Sequence, residues 1–503
     1  MLAQKKSSRL QDTILVIVTV LFCTIFAEGT VRALDGRPLF AFPLGTPVGS
    51  ATVSDELLDR IPRAAGVERA WFFTDPAPLA NRGKTPDEWE SLFRRIEANP
   101  TDPSFRPVDA FKAWNAVAAG DACKHGFLRH APDHLLLFDP VDGVATPSYR
   151  FPPNATLPTG LVTNQIGWRG KPIEVPRGER TIRIVFVGSS TVLDFHHLPF
   201  SYPEFVGHWL NRWAAARHPG LRFEVLNSAR ESNLSRDLVS IVRNEVLPLR
   251  PDLVVYSEGG NQFNMRSVIE QMPEGKPFNP AASASNAPAW LIGLARYSAL
   301  VQRIVVAAGM AGADDGREWP KPEYKFVWPQ GLDEKDPDLG HPGLPVALDE
   351  IQPDLDRIRT DLQTIGADLA LASFIWMVKD GLVLNPVRHR YLLEQLNIQQ
   401  WPYSYRDLER LARFQNRFFA KYAKVHGLAY LDVEGRLPFE PDLFADAVHS
   451  NYGGVRVRGW VMLQELIPVI ERRLADRSWP KPRANPEPPL PTYVPRRVSH
   501  KCS

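Results

Sequence analysis

From Thr181 onward, short apolar runs alternate with stretches patterned as helices, and this alternation restricts the fold more than any other feature of the chain. The runs fall at 182–187, 223–227, 253–257, 369–375 and 428–433. Each is almost continuously apolar, the signature of strands covered on both faces rather than on one. Between them the spacing predicts helices at 202–217, 236–247, 349–365 and 405–425, and a last one at 455–474. The first places Phe205, Trp209 and Trp213 on one face, and the second does the same with Val239, Val242 and Val246. Strands and helices in this order predict a three-layer α/β/α sandwich around a parallel, five-stranded, flavodoxin-like sheet. In open sheets of that kind, ligands sit beyond the carboxyl ends of the strands.

The flanks read differently. Lys5, Lys6 and Arg9 precede residues 13–27, which carry no charge, and Glu28 closes the run. A basic start before an apolar stretch is either a secretory signal or a membrane anchor. Val31-Arg32-Ala33 makes a poor cleavage site, and bulky Phe22 before Cys23 disfavours a lipoprotein signal, so we expect an uncleaved anchor. The basic side stays cytoplasmic, which makes the protein single-pass with the remainder of the chain on the periplasmic or extracytoplasmic side. Removing residues 1–34 is then expected to leave a soluble protein with an intact site.

The expected organisation is an anchor at 1–34, an irregular region at 35–160, a catalytic domain at 161–475 and a Pro-rich tail at 476–503. The irregular region is rich in Pro, Arg and Trp, with a polar helix candidate at 86–98. Two insertions at 311–345 and 385–404 interrupt the alternation; they suit a lid or carbohydrate-facing surface as well as a solvated loop. The tail, WPKPRANPEPPLPTYVP, reads as extended polyproline-like chain. A net charge of +2 with acids and bases interspersed gives no basic groove for nucleic acid. Cys23, Cys123 and Cys502 form no C-x-x-C pair, and His196 and His197 have no matching carboxylate or cysteine cluster; no metal and no cofactor are expected.

Four polar stretches follow the strand candidates: Gly188-Ser189-Ser190-Thr191, the loop from Asn227 to Asn233, Gly259-Gly260-Asn261-Gln262, and Asp446-Ala447-Val448-His449. A parallel sheet brings them to one rim. Serine needs a base within hydrogen-bond reach, and the base needs orienting. Asp446 and His449 are three residues apart, so on a helical turn they share a face. An oxyanion needs donors aimed at it, and the Asn261 amide with the peptide N–H groups of Ser190 and Ser232 can supply them. Read alone, Gly188-Ser189-Ser190 is a plain turn in which either serine caps the next helix. Either serine could also carry the reactive hydroxyl.

Taken together, these four blocks resemble the SGNH (GDSL-like) hydrolase family over about residues 160–475. The resemblance implies Ser190 as nucleophile, His449 as general base and then acid, Asp446 as its orienting partner, and Ser190, Ser232 and Asn261 as oxyanion donors. The stretch Asn164-Gln165-Ile166-Gly167-Trp168-Arg169-Gly170 is similar to one that precedes the serine block in membrane-anchored bacterial members. Ser189, Ser232 and Gln262 depart from the family's usual Asp, Gly and Asp. The function implied is a serine esterase or O-acyltransferase of the bacterial cell envelope, acting on an acylated carbohydrate or small ester. The alternative is a non-catalytic binding or assembly protein that keeps the fold.

Overall fold

Apolar runs bounded by glycine and polar turns become seven strands among the described residues: β1 (His134–Pro140), β2 (Thr181–Gly188), β3 (Arg222–Asn227), β4 (Leu253–Ser257), β5 (Asp368–Ala372), β6 (Ala429–Leu431) and β7 (Tyr493–Ser499). The main helices are α1 (Leu2–Leu34), α2 (Tyr202–Arg217), α3 (Ser235–Ile241), α4 (Ala289–Ala295), α5 (Ala299–Ala307), α6 (Leu348–Gln363), α7 (Tyr405–Val425) and α8 (Tyr452–Ala475). The computed structural model describes residues 2–34, 53–85, 87, 90, 134–140, 150–278, 288–295, 298–308, 316–386, 388–483 and 486–499. The helix candidate at 86–98 lies outside them except for two single positions.

Five strands form a parallel sheet in the order β3-β2-β4-β5-β6, the three-layer flavodoxin-like arrangement. Every residue of β2 and β4 is buried, as central strands covered on both faces require. On one face α2 packs against β3 and α8. Gly459 of α8 makes room there, since a Cβ at that position would sit 3.1 Å from the Tyr202 carbonyl oxygen and 3.3 Å from Phe205 Cβ. On the other face α3, α6 and α7 lie side by side, tied by Ser235 Oγ donating to Asp354 (2.6 Å) and Tyr422 Oη donating to Asp356 (2.6 Å).

Some elements differ from the sequence reading. β5 ends at Ala372, short of the apolar run, because Phe374 N donates to Asn416 Oδ1 and Met377 N to the Ala447 carbonyl instead of to a strand. The helix expected at 236–247 is α-helical only to Ile241, then widens into a π turn at Val242–Val246 and tightens at Leu247–Leu249, where Pro248 has no N–H to continue it. The 385–404 insertion is not irregular throughout, since Arg390–Glu394 is helical and buries Leu392 and Leu393. The tail packs on the body of the protein: Trp479 is buried, Lys481 N donates to Asp252 (2.6 Å), and Glu487 accepts from Arg177 N at 3.0 Å. Its last strand, β7, pairs antiparallel with β1. These contacts lie at the amino end of the sheet, beside the buried Arg177–Asp252 and Arg183–Glu224 ion pairs.

The segment 53–85 packs on the sandwich. Phe72 stacks on Trp209 at 6.1 Å and meets Trp460 edge-on at 5.6 Å, while Trp209 Nε1 donates to the Trp71 carbonyl (2.7 Å). Among the described residues, one helical stretch, Asp12–Leu34, is long and apolar enough to cross a membrane. It extends beyond the charge-free 13–27 run because the helix continues through Glu28 and Arg32, which pair at 2.6 Å.

Trp209 is fully buried between the segment and α8. Trp209→Ala is expected to lower unfolding free energy by about 3–5 kcal/mol, measured by chemical denaturation.

Candidate active site

The rim begins where β2 and β4 end side by side. Gly188 lies opposite Ser257 in the register. A Cβ on Gly188 would sit 2.5 Å from the Ser257 carbonyl oxygen and 2.3 Å from Val192 Cγ2, so only glycine allows the turn. The chain then enters a short helical turn, Ser190–Leu193. Ser189 occupies the cap position but does not cap; its buried hydroxyl donates to Glu258. Ser190 is partly exposed, and its hydroxyl lies 2.8 Å from His449 Nε2. The two serines are thereby separated by partner, Ser189 with a carboxylate and Ser190 with an imidazole.

Asp446 and His449 meet, but not on a helical turn. Phe444 and Ser450 form an antiparallel bridge, Ala445 N donates to the His449 carbonyl (2.8 Å), and residues 445–448 make a tight bend. The Asp446 side chain holds the bend. Its Oδ1 accepts from Val448 N (2.9 Å) and His449 N (2.8 Å), and its Oδ2 lies 2.8 Å from His449 Nδ1. Burial alone would raise the Asp446 pKa, yet the charge on His449 and these hydrogen bonds outweigh it and hold the carboxyl below its ordinary value. With Nδ1–H donated to Asp446, Nε2 is left as acceptor for the Ser190 hydroxyl.

Ser232 has φ +60°, the left-handed region that a glycine would occupy freely. Its peptide N–H and that of Ser190 have no hydrogen-bond acceptor among the described residues. Asn261 Nδ2 donates one hydrogen to the Asn233 carbonyl (2.8 Å), and the amide carries a second. Asn233 Nδ2 in turn donates to the Gly188 carbonyl at 3.1 Å. The three loops are therefore strung together in the order 188, 233, 261.

Several residues at this rim were not singled out from sequence. Glu258 Oε1 accepts from Gly260 N and Asn261 N, both at 2.9 Å, while Oε2 takes the Ser189 hydroxyl; burial raises its pKa against those bonds. Gln415 Nε2 donates to the Gly259 carbonyl (2.7 Å) from α7. Arg458 of α8, buried over the Tyr202 ring, donates to the Thr191 carbonyl (2.6 Å). Burial also pushes the Asp194 carboxyl up to about 7, against the positive charge of Arg458 and the Tyr202 N–H that it accepts. The Asn164–Gly170 stretch acquires a role here. Asn164 Oδ1 accepts from Ile166 N and Trp168 N, shaping a turn from which Arg169 donates to the carbonyls of Leu193 (3.0 Å), Phe195 (3.0 Å) and Leu198 (2.6 Å). Arg169 thus fixes the loop that follows the Ser190 turn. His196 lies in that loop, 2.6 Å from Glu231, and Phe195 lies against the His449 ring at 5.5 Å.

No family model and no curated protein matches the chain in sequence. Solved structures match in part. An acetylxylan esterase from Geobacillus stearothermophilus is 14% identical with a TM-score of 0.30, over 57% of this chain and 96% of its own. An α/β hydrolase enzyme from the metagenome of Lake Arreo, Spain, is 15% identical with a TM-score of 0.30, over 56% of this chain and 94% of its own. A putative acylhydrolase from Bacteroides fragilis is 12% identical with a TM-score of 0.26, over 58% of this chain and 87% of its own. The chemistry of the rim is read from its own distances.

The depressed pKa of Asp446 has a signed consequence. The folded state holds this proton less tightly than the unfolded chain, whose aspartates titrate near ~4. The stabilisation is thus complete above that pH and is lost as pH falls through the lower folded value. Denaturation midpoints should show the native protein more stable than Asp446→Asn at pH ~7, with the gap closing below pH ~4.

Proposed function

We propose that this chain is a serine esterase or O-acyltransferase, anchored in a bacterial membrane and acting outside the cytoplasm on an O-acyl group of a carbohydrate or small ester. The observation that carries the reading is the continuous relay from Ser190 Oγ to His449 Nε2 and from His449 Nδ1 to Asp446, each contact at 2.8 Å. A serine that merely capped a helix would need no such base.

In this reading His449 Nε2 takes the Ser190 proton as Oγ attacks the acyl carbonyl. The carbon becomes tetrahedral, and its oxygen gains negative charge. Three donors suit that charge: the unoccupied N–H groups of Ser190 and Ser232, and the second hydrogen of the Asn261 amide. Asp446 stabilises the imidazolium without taking its proton. His449 then protonates the leaving alcohol, the C–O bond breaks, and the acyl group remains on Ser190. Water or a sugar hydroxyl, deprotonated by His449, releases it and restores the serine. The aliphatic stretch of α1 supports a membrane location, and Lys5, Lys6 and Arg9 support a cytoplasmic amino end.

The test is turnover of p-nitrophenyl acetate by the full-length protein in detergent. Ser190→Ala should lower kcat about 10³-fold or more, Asp446→Asn by about 10³- to 10⁴-fold, and Asn261→Ala by about 10²-fold. The rate should rise with pH to a plateau as His449 loses its proton. Absence of turnover in folded protein would favour a non-catalytic envelope protein of the same fold, whereas full turnover by Ser190→Ala would overturn Ser190 as the nucleophile.

A further inference from the structure

Helices α4 and α5 form an apolar pair whose outer face is bare: Trp290, Leu294 and Ile304 are 65%, 48% and 52% exposed. Trp290 and Leu294 are four residues apart and share one face of α4. The inner side is covered, with Ala295, Ala299 and Val305 buried.

This pair is joined to α1. The Glu28 carboxylate accepts from Ser298 Oγ (2.7 Å), Ala299 N (2.9 Å) and Leu300 N (3.0 Å), so it caps the amino end of α5, and it pairs with Arg32 at 2.6 Å. Arg32 is itself buried. Glu28 lies two residues beyond Phe26, the last of the exposed apolar side chains of α1 before it, or about 3 Å along the axis. The first turn of α5 therefore sits at the depth where the apolar surface of α1 ends.

Length adds a second argument. The charge-free residues 13–27 rise only about 22 Å, against a hydrocarbon core of about 30 Å. A span of that length draws Glu28 and Arg32 toward the lipid, where a lone charge is costly. α5 satisfies Glu28 by hydrogen bonding, Arg32 is buried in its ion pair with Glu28, and α4 and α5 add exposed apolar side chains of their own.

We propose that α4 and α5 are a second membrane contact, lying in the outer interfacial layer beside α1 with Trp290, Leu294 and Ile304 inserted among the lipids. The occupant of this face is the bilayer, because the pair is fastened through Glu28 to the end of the charge-free stretch of α1. Tryptophan and amphipathic helices favour that layer. The proposal rests on the reading of α1 as a span. The amino-terminal helix would thus meet the bilayer together with a second, interfacial surface rather than alone.

The test uses the full chain, with Cys23, Cys123 and Cys502 replaced by serine, reconstituted in phosphatidylcholine vesicles. Single cysteines from Ile17→Cys, Leu294→Cys, Ile304→Cys and Arg357→Cys each carry an environment-sensitive fluorophore. Nitroxide lipids labelled near the headgroup should roughly halve emission at 294 and 304 and leave 357 unchanged, while deep nitroxides quench 17. Quenching at 17 with none at 294 or 304 overturns this proposal and leaves the anchor standing. No quenching at 17 overturns the anchor reading itself. Shielding of 294 and 304 from aqueous iodide without lipid quenching marks a protein partner or a second copy, and also overturns it.

Discussion

Glu258 is the buried carboxyl group on which the rim depends. It lies just past β4, almost without solvent contact, and its two oxygens reach in opposite directions. One oxygen fixes the Gly260 and Asn261 peptides, and the other takes the Ser189 hydroxyl. A carboxylate withdrawn from water is costly unless every lone pair finds a donor, and here backbone and hydroxyl donors are supplied from both loops. The turn presenting Ser190 and the loop presenting Asn261 consequently hold a fixed spacing. Gln415 reinforces it from α7, Arg458 from α8 and Arg169 from the segment before β2. The positions of Ser190 and Asn261 are thus set by buried polar side chains.

Much of this was legible in the sequence because burial on both faces leaves a plain signal. β4, α2 and α7 have the bounds their apolar patterns predict. Gly188 was legible as the end of a strand, and the four polar blocks fall at one rim because parallel strands must end together. The pairing of Asp446 with His449 followed from spacing for the wrong local reason. Three residues bring side chains together in a bend closed by an Asp carboxylate as well as on a helix.

What stayed hidden was mostly long-range. Glu258 before two glycines reads as a solvated loop residue, and nothing local indicates that its acceptor sites are filled by Ser189, some 70 positions earlier. Arg169 stands out in the sequence only as part of a motif, since its carbonyl partners lie beyond the intervening strand β2. In the tail, proline content predicts extended chain but not what that chain lies on; Arg177 and Asp252, at the amino end of the sheet, decide that. At the other terminus, Glu28 looked like the end of an apolar run. It is also the point at which α1 is fastened to α5, through hydrogen bonds to peptides some 270 positions away that no local pattern indicates.

The most direct measurement is the site of covalent modification when the full-length protein meets a fluorophosphonate. Peptide mass mapping should locate a single adduct on Ser190, formed more slowly at pH values that protonate His449. An adduct on Ser189, or folded protein that remains unmodified, would contradict the relay from Ser190 through His449 to Asp446.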